Sequence, residues 1–223
     1  MQDVQRHAQG RTFLADLATE FGVTTEQADA VMRTVMPDLT WHLQRNTLSV
    51  GGLADLVEAL GSGHHATYLD RSDVFRDPAA VADGNAILGH ILGSKDRSRT
   101  LAARAARQAG LSDDLVRSML PGLAVITMAR LAARAKRGLD EVTRTIPPGG
   151  LGGSSPYADL AAALRRRSGL GRYASGTLRH MVRWLIAKAA GFQSRGLVRW
   201  YADFMMIRPV QALARRVMRR MTT

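Results

Sequence analysis

MLPGLAVITMA, Met119 to Ala129, is apolar or small at every position, so a helix formed here has no face to offer to water. Such a helix belongs inside something. Arg117 and Arg130 close the run too early for the roughly 20 residues that a bilayer core needs. The expectation is a core helix within Ser112 to Leu139, with its neighbours wrapped round it and Leu120, Leu123, Ile126 and Leu131 buried.

The rest of the chain supplies those neighbours. With 223 residues, 46% of them hydrophobic, it can build one substantial core or two smaller ones. Stretches rich in Ala, Leu and Arg favour helix throughout. The absence of cysteine excludes disulfides and thiolate metal sites and suits a reducing compartment. MQDVQRHAQGRTFLADLATEFG, at the N-terminus, lacks the apolar core of a signal peptide, so a cytoplasmic location is expected. The net charge of +12 is unevenly spread. From Gly150 onward fourteen Arg or Lys face only Asp159 and Asp203, whereas the residues before hold 17 basic and 17 acidic side chains.

An internal repeat surrounds the core stretch. RTFLADLATEFGVT, Arg11 to Thr24, aligns without a gap on RTLAARAARQAGLS, Arg99 to Ser112. Each reads as a helix stopped by a glycine, Gly22 or Gly110, and followed by an N-cap hydroxyl, Thr24 or Ser112. Glu26 and Gln27 in one copy, and Asp113 and Asp114 in the other, complement the exposed N–H groups of a first turn. After a difference of four residues, about one helical turn, VMRTVMPDL rejoins LVRSMLPGL. Pro37 and Pro121 fall at the same place, where each either kinks the helix or begins a new one. Two related helix pairs about a pseudo-twofold axis are expected, with chance likeness between two Ala-rich helices as the alternative.

Between the copies, SVGGLADLVEALGSGHH, Ser49 to His65, carries Leu53, Leu56, Val57 and Leu60 at helical spacing. A polar loop ends near Pro78. DGNAILGHILGSKD, Asp83 to Asp96, places Ile87, Leu88, Ile91 and Leu92 on one face. Gly89 and Gly93 are four apart and would let another helix approach, although Gly93 also suits a C-cap. GNAILGHILGSKDRSRTLAARAARQAGLSDDLVRSMLPGLA resembles the bacterial DUF937 or YidB-like family, through its ILGHxxG segment, Ala-rich helix, Gly-Leu-Ser turn and Leu-Pro. The likeness is strong over about residues 84–134 and weaker over 11–146. It implies an all-helical fold and no activity.

TIPPGGLGGSSP, Thr145 to Pro156, cannot continue a helix, so a linker is placed at 147–156, between a helical repeat module at 1–146 and a basic helical region at 157–223. That region divides into Tyr157 to Ser168, Tyr173 to Phe192 and Arg195 to Met221. Leu178, Met181, Val182, Leu185 and Ala189 form a stripe, with Arg179, His180 and Arg183 opposite and Trp184 and Lys188 at its edge. Basic amphipathic helices with edge tryptophans suit an anionic membrane surface. The residues assigned to it are Arg179, Arg183, Trp184, Lys188, Arg199, Trp200, Arg215, Arg216, Arg219 and Arg220. Nucleic acid, held by arginines on phosphate and rings on bases, is the alternative, and an ordinary helical domain with a solvated basic face is the third reading.

Catalytic patterns are scarce. The six histidines make no HExxH or other ligand spacing, and the His64–His65 pair is a poor metal site because adjacent side chains point apart. His90 reads as an imidazole bonding a carbonyl where two helices touch, in preference to an acid–base role. Neither GxSxG nor a phosphate-binding glycine loop occurs, so no enzyme, cofactor, metal or small-molecule substrate is expected. The sequence is therefore read as an all-α, non-enzymatic scaffold or self-assembly protein. It would bind a protein partner or a second copy and sit in the cytoplasm, peripherally at the inner face of the membrane. If the central run is core, Leu123→Ala should cost about 2–5 kcal/mol in reversible denaturation, and a loss under about 0.5 kcal/mol would put Leu123 at the surface.

Overall fold

Helix follows helix wherever good helix formers run between glycine stops and Ser, Thr or Asp caps. A computed structural model describes residues 13–61, 64–144, 153–166 and 171–190, leaving aside the side chains of 64 and 171–177. The elements are α1 (13–21), α2 (Thr25–Asn46), α3 (Val50–Gly61), α4 (His64–Thr67), a 3-10 turn at Tyr68–Asp70, α5 (Pro78–Leu92), α6 (Lys95–Ala109), α7 (Asp113–Thr143), α8 (Pro156–Arg165) and α9 (Gly171–Ala190). No strand occurs among the described residues, and the fold is all-α. Most of the expected linker, and all of Arg195 to Met221, lie outside them.

Compactness groups the chain into two units interleaved in sequence. The first takes Met1–Leu43 and His65–Ala129, the second Gln44–His64 and Arg130–Thr223. Both copies of the repeat fall in the first. There α7 meets the expectation of a core helix: every residue from 119 to 129 is buried, and Leu120, Leu123, Ile126 and, in the second unit, Leu131 are at most 4% exposed. One point is corrected. The helix is 31 residues long, not short, and by length and composition could cross a membrane, but 78% of its apolar window is buried within the protein. Its neighbours in this unit bury Phe13 and Leu17 of α1, Val31, Val35 and Leu39 of α2, Ile87, Leu88, Ile91 and Leu92 of α5, and Leu101, Ala105 and Ala106 of α6.

The two Gly-to-hydroxyl corners close by the same hydrogen bonds. Gly22 and Gly110 stand at φ +62° and +66°, left-handed values that only glycine adopts without strain. Past each, the Val23 N–H donates to the Ala18 carbonyl and the Leu111 N–H to the Ala106 carbonyl, both at 3.0 Å. The Thr24 and Ser112 hydroxyls then accept from the N–H groups of Gln27 and Leu115, and in the first copy the Thr24 N–H donates in return to Gln27 Oε1. Both helices continue past their prolines. Each proline frees the carbonyl four residues back, that of Arg33 or Arg117, and both are exposed residues that water can serve. The environments then part, because Pro37 is exposed and Pro121 buried.

The close helix approach lies elsewhere than expected. Nothing comes within 4 Å of a Cβ built on Gly89, and Gly93, at φ +74°, is the C-cap of α5. Gly84 is the contact: a Cβ there would overlap the backbone carbonyl of Pro121. The Phe75 ring lies against Gly122 and packs T-shaped with Phe21, the ring centroids 6.0 Å apart. Phe75 is held by the loop before α5, where Arg71 binds Asp73 and Asp77 and lies over the Tyr68 ring, while the Tyr68 hydroxyl donates to Asp83 at 2.6 Å. Burial, then that bond, pushes the Tyr68 phenol up to about 12. Surface ties finish the unit: Arg104 to Asp38, Arg76 to Glu20 and Thr34 to Gln108.

In the second unit α3 packs along α8, and α9 lies against both. Leu53, Val57 and Leu60 meet a core that includes Leu160, Leu164, Met181, Val182 and Leu185. Tyr157, beside Gly61, donates its hydroxyl to Asp140 at 2.7 Å, and Arg165 binds Asp55 and Glu58. Two glycine substitutions on α5 should therefore act with opposite signs in urea denaturation. Gly84→Ala should destabilise by about 1–3 kcal/mol through overpacking, whereas Gly89→Ala should stabilise by about 0.5–1 kcal/mol, since a side chain there is free of contacts and removes backbone entropy from the unfolded chain.

Candidate basic surface of the second unit

Division by compactness sharpens the charge asymmetry. The first unit holds 11 Arg or Lys and 13 Asp or Glu, a net −2; the second holds 20 against six, a net +14, and together they make the +12 of the chain. All five acids described in the second unit are engaged. Asp55 and Glu58 hold Arg165, Asp140 holds Lys136 and Tyr157, Glu141 holds Arg144, and buried Asp159 accepts the Gly153 N–H at 2.9 Å. The excess positive charge is thus not neutralised locally.

Four of the ten residues assigned to anionic contact are described, and they divide by role. Arg179 donates from Nε to the Leu164 carbonyl at 2.9 Å and from Nη2 to the Arg166 carbonyl at 3.0 Å, closing the C-terminus of α8. Arg183 does the same for the chain leaving α2, reaching the carbonyls of Thr47 at 2.9 Å and Leu48 at 3.1 Å. Cations suit helix C-termini, where carbonyls lack intrahelical partners and the dipole is negative. Burial, and then the charge of Arg179, lowers the proton affinity of Arg183. Trp184 is half-buried beneath the exposed Lys188, whose ammonium lies 5.2 Å from the ring centroid. Arg199, Trp200, Arg215, Arg216, Arg219 and Arg220 lie outside the described residues.

The stripe of α9 faces its own protein. Met181, Val182 and Leu185 are buried, together with Ile186 and Ala187, while Leu178 and Ala189 are partly exposed. Sequence reading missed a second basic row on α7: Arg130, Arg134 and Arg137, at the i, i+4, i+7 spacing that marks one helix face. Arg134 and Arg137 are exposed; burial, followed by repulsion from Arg134, lowers the proton affinity of Arg130. The signal was present in the spacing but was masked by the apolar run before it. His90, expected at a helix contact, is exposed in the last turn of α5, because Ile87, Leu88, Ile91 and Leu92 take the packed face. No group of three or more His, Asp or Glu among the described residues is placed to hold a metal.

Arg183→Gln should cost about 1–3 kcal/mol in denaturant unfolding, the penalty for leaving carbonyls at a half-buried helix end without their donors. Arg134→Gln, at an exposed site, should change stability by less than about 0.5 kcal/mol. Equal effects would remove the distinction between capping and surface arginines.

Residues 3–134 match the model of a family described as "Bacterial protein of unknown function (DUF937)". No curated protein and no solved structure matches the chain.

Proposed function

Because the chain belongs to the DUF937 family, which carries no described activity, its role is read from its own surfaces, and we propose a non-enzymatic scaffold or self-assembly protein whose basic second unit and tail contact an anionic membrane surface. The observation that carries this reading is the partition of charge, −2 against +14, with the described acids of the basic unit already engaged. Lys and Arg near an anionic leaflet contribute on the order of 1 kcal/mol each, so even a few of them at the surface bind substantially. Trp200 and Phe204 supply apolar side chains suited to the head-group boundary. The first unit, near neutrality, does not repel a second copy as a unit at +14 does, and it is the surface proposed for a protein partner or self-association. The working place of such a protein is the cytoplasmic face of the cell membrane, where anionic lipid is presented.

The test is sedimentation of full-length protein with phosphatidylglycerol–phosphatidylcholine vesicles. Retention is expected at near-physiological salt, with most of it lost in Trp200→Ser/Phe204→Ser. Retention on nucleic acid instead, falling steeply with salt and tracking Arg215, Arg216, Arg219 and Arg220, would replace membrane by nucleic acid as the partner. Binding to neither would remove the anionic-surface role.

A further inference from the structure

The arginines of α9 hold only part of what their charge can bind. Half-buried charged groups are ordinarily paired with an opposite charge. Among the described residues no carboxylate forms an ion pair with Arg179 or Arg183, and their recorded partners are four neutral backbone carbonyls. His180 stands between them in sequence, and burial followed by the charges of Arg183 and Arg179 lowers its proton affinity. Three basic groups are thus crowded on one partly buried helix face. A phosphate adds an opposite charge and can accept two parallel N–H bonds from one guanidinium, which a lone carbonyl cannot.

The opposite side of the same helix is held by packing that another apolar medium could replace. Met181, Val182 and Leu185 are buried on the second unit, and Leu185 enters a notch left by the missing side chain of Gly138, where an added Cβ would lie 2.9 Å from its Cδ2. Trp184 and Lys188 stand at the rim of the stripe. Each contact of docked α9 has a counterpart at a lipid surface: phosphate for carbonyl, the head-group boundary for the unit's core, and an interfacial position for the tryptophan.

We infer that α9 is an autoinhibitory latch, stored against the second unit through Arg179, Arg183 and Leu185, and that an anionic bilayer releases it to insert its apolar stripe. The inference rests on the membrane reading proposed above and adds its regulation. A bilayer shifts the equilibrium only by its differential affinity for the two states, and the undocked helix alone offers both the stripe and the freed guanidiniums. Release leaves the helix C-termini at Leu164 and at Thr47–Leu48 to water, which sets the opposing cost.

The chain has no cysteine, so a disulfide can be placed without competitors. In full-length Gly138→Cys/Leu185→Cys, the oxidised form should bind phosphatidylglycerol vesicles about tenfold or more weakly than the reduced form, because it fixes the binding-incompetent state. Addition of dithiothreitol should restore binding. Gly138→Phe, which fills the notch, should act oppositely and bind more tightly than the natural chain. Equal binding of oxidised and reduced forms, or binding of Gly138→Phe no tighter than that of the natural chain, overturns the latch while leaving the membrane role standing. If the natural chain itself does not sediment with these vesicles, the membrane role falls and the latch with it.

Discussion

A helix without a polar face must be surrounded, and in this protein that requirement falls on α7. From Met119 to Ala129 every side chain is buried, so the first unit has to present apolar stripes from several directions at once. The consequence is visible at the backbone. Gly84 gives up a side chain so that α5 can reach the carbonyl of Pro121, and Phe75 fills the space above Gly122. The loop carrying Phe75 cannot bury its polar groups unsatisfied, and the Arg71, Asp73, Asp77, Tyr68 and Asp83 network meets that need. One apolar run thereby sets helix spacing, loop chemistry and the position of a glycine almost forty residues away.

Charge follows a different logic. In the first unit acids and bases pair between elements, as Arg104 does with Asp38 and Arg76 with Glu20. The second unit has too few acids for this, and part of its positive charge is turned to helix ends, with Arg179 and Arg183 supplying donors that the last carbonyls lack. Such bonds are weaker than ion pairs, so these guanidiniums satisfy the fold while keeping an affinity for a stronger acceptor. This is the physical basis on which an anionic partner is proposed for this unit.

Local signals carried much of the fold. Glycine stops and hydroxyl caps at 22–24 and 110–112, and the apolar positions of α3 and α5, were legible because they depend on residues within a few turns of one another. The candidate site was legible as composition and not as roles. An arginine opposite an apolar stripe has the same sequence whether it meets water, phosphate or a distant carbonyl, and Arg183 reaches one 136 residues away.

The sequence by itself determined that the chain is helical, that Met119 to Ala129 is buried and that positive charge gathers toward its end. Hydrophobic periodicity, capping and net charge are properties of neighbouring residues, and they need no partner to be read. Tertiary structure alone decided that Gly84 and not Gly89 is the close contact, that His90 faces outward, and that Gln44–His64 joins the basic part of the chain. Each of these turns on which residues remote in sequence come to lie together, and that is fixed by burying all the apolar stripes at once.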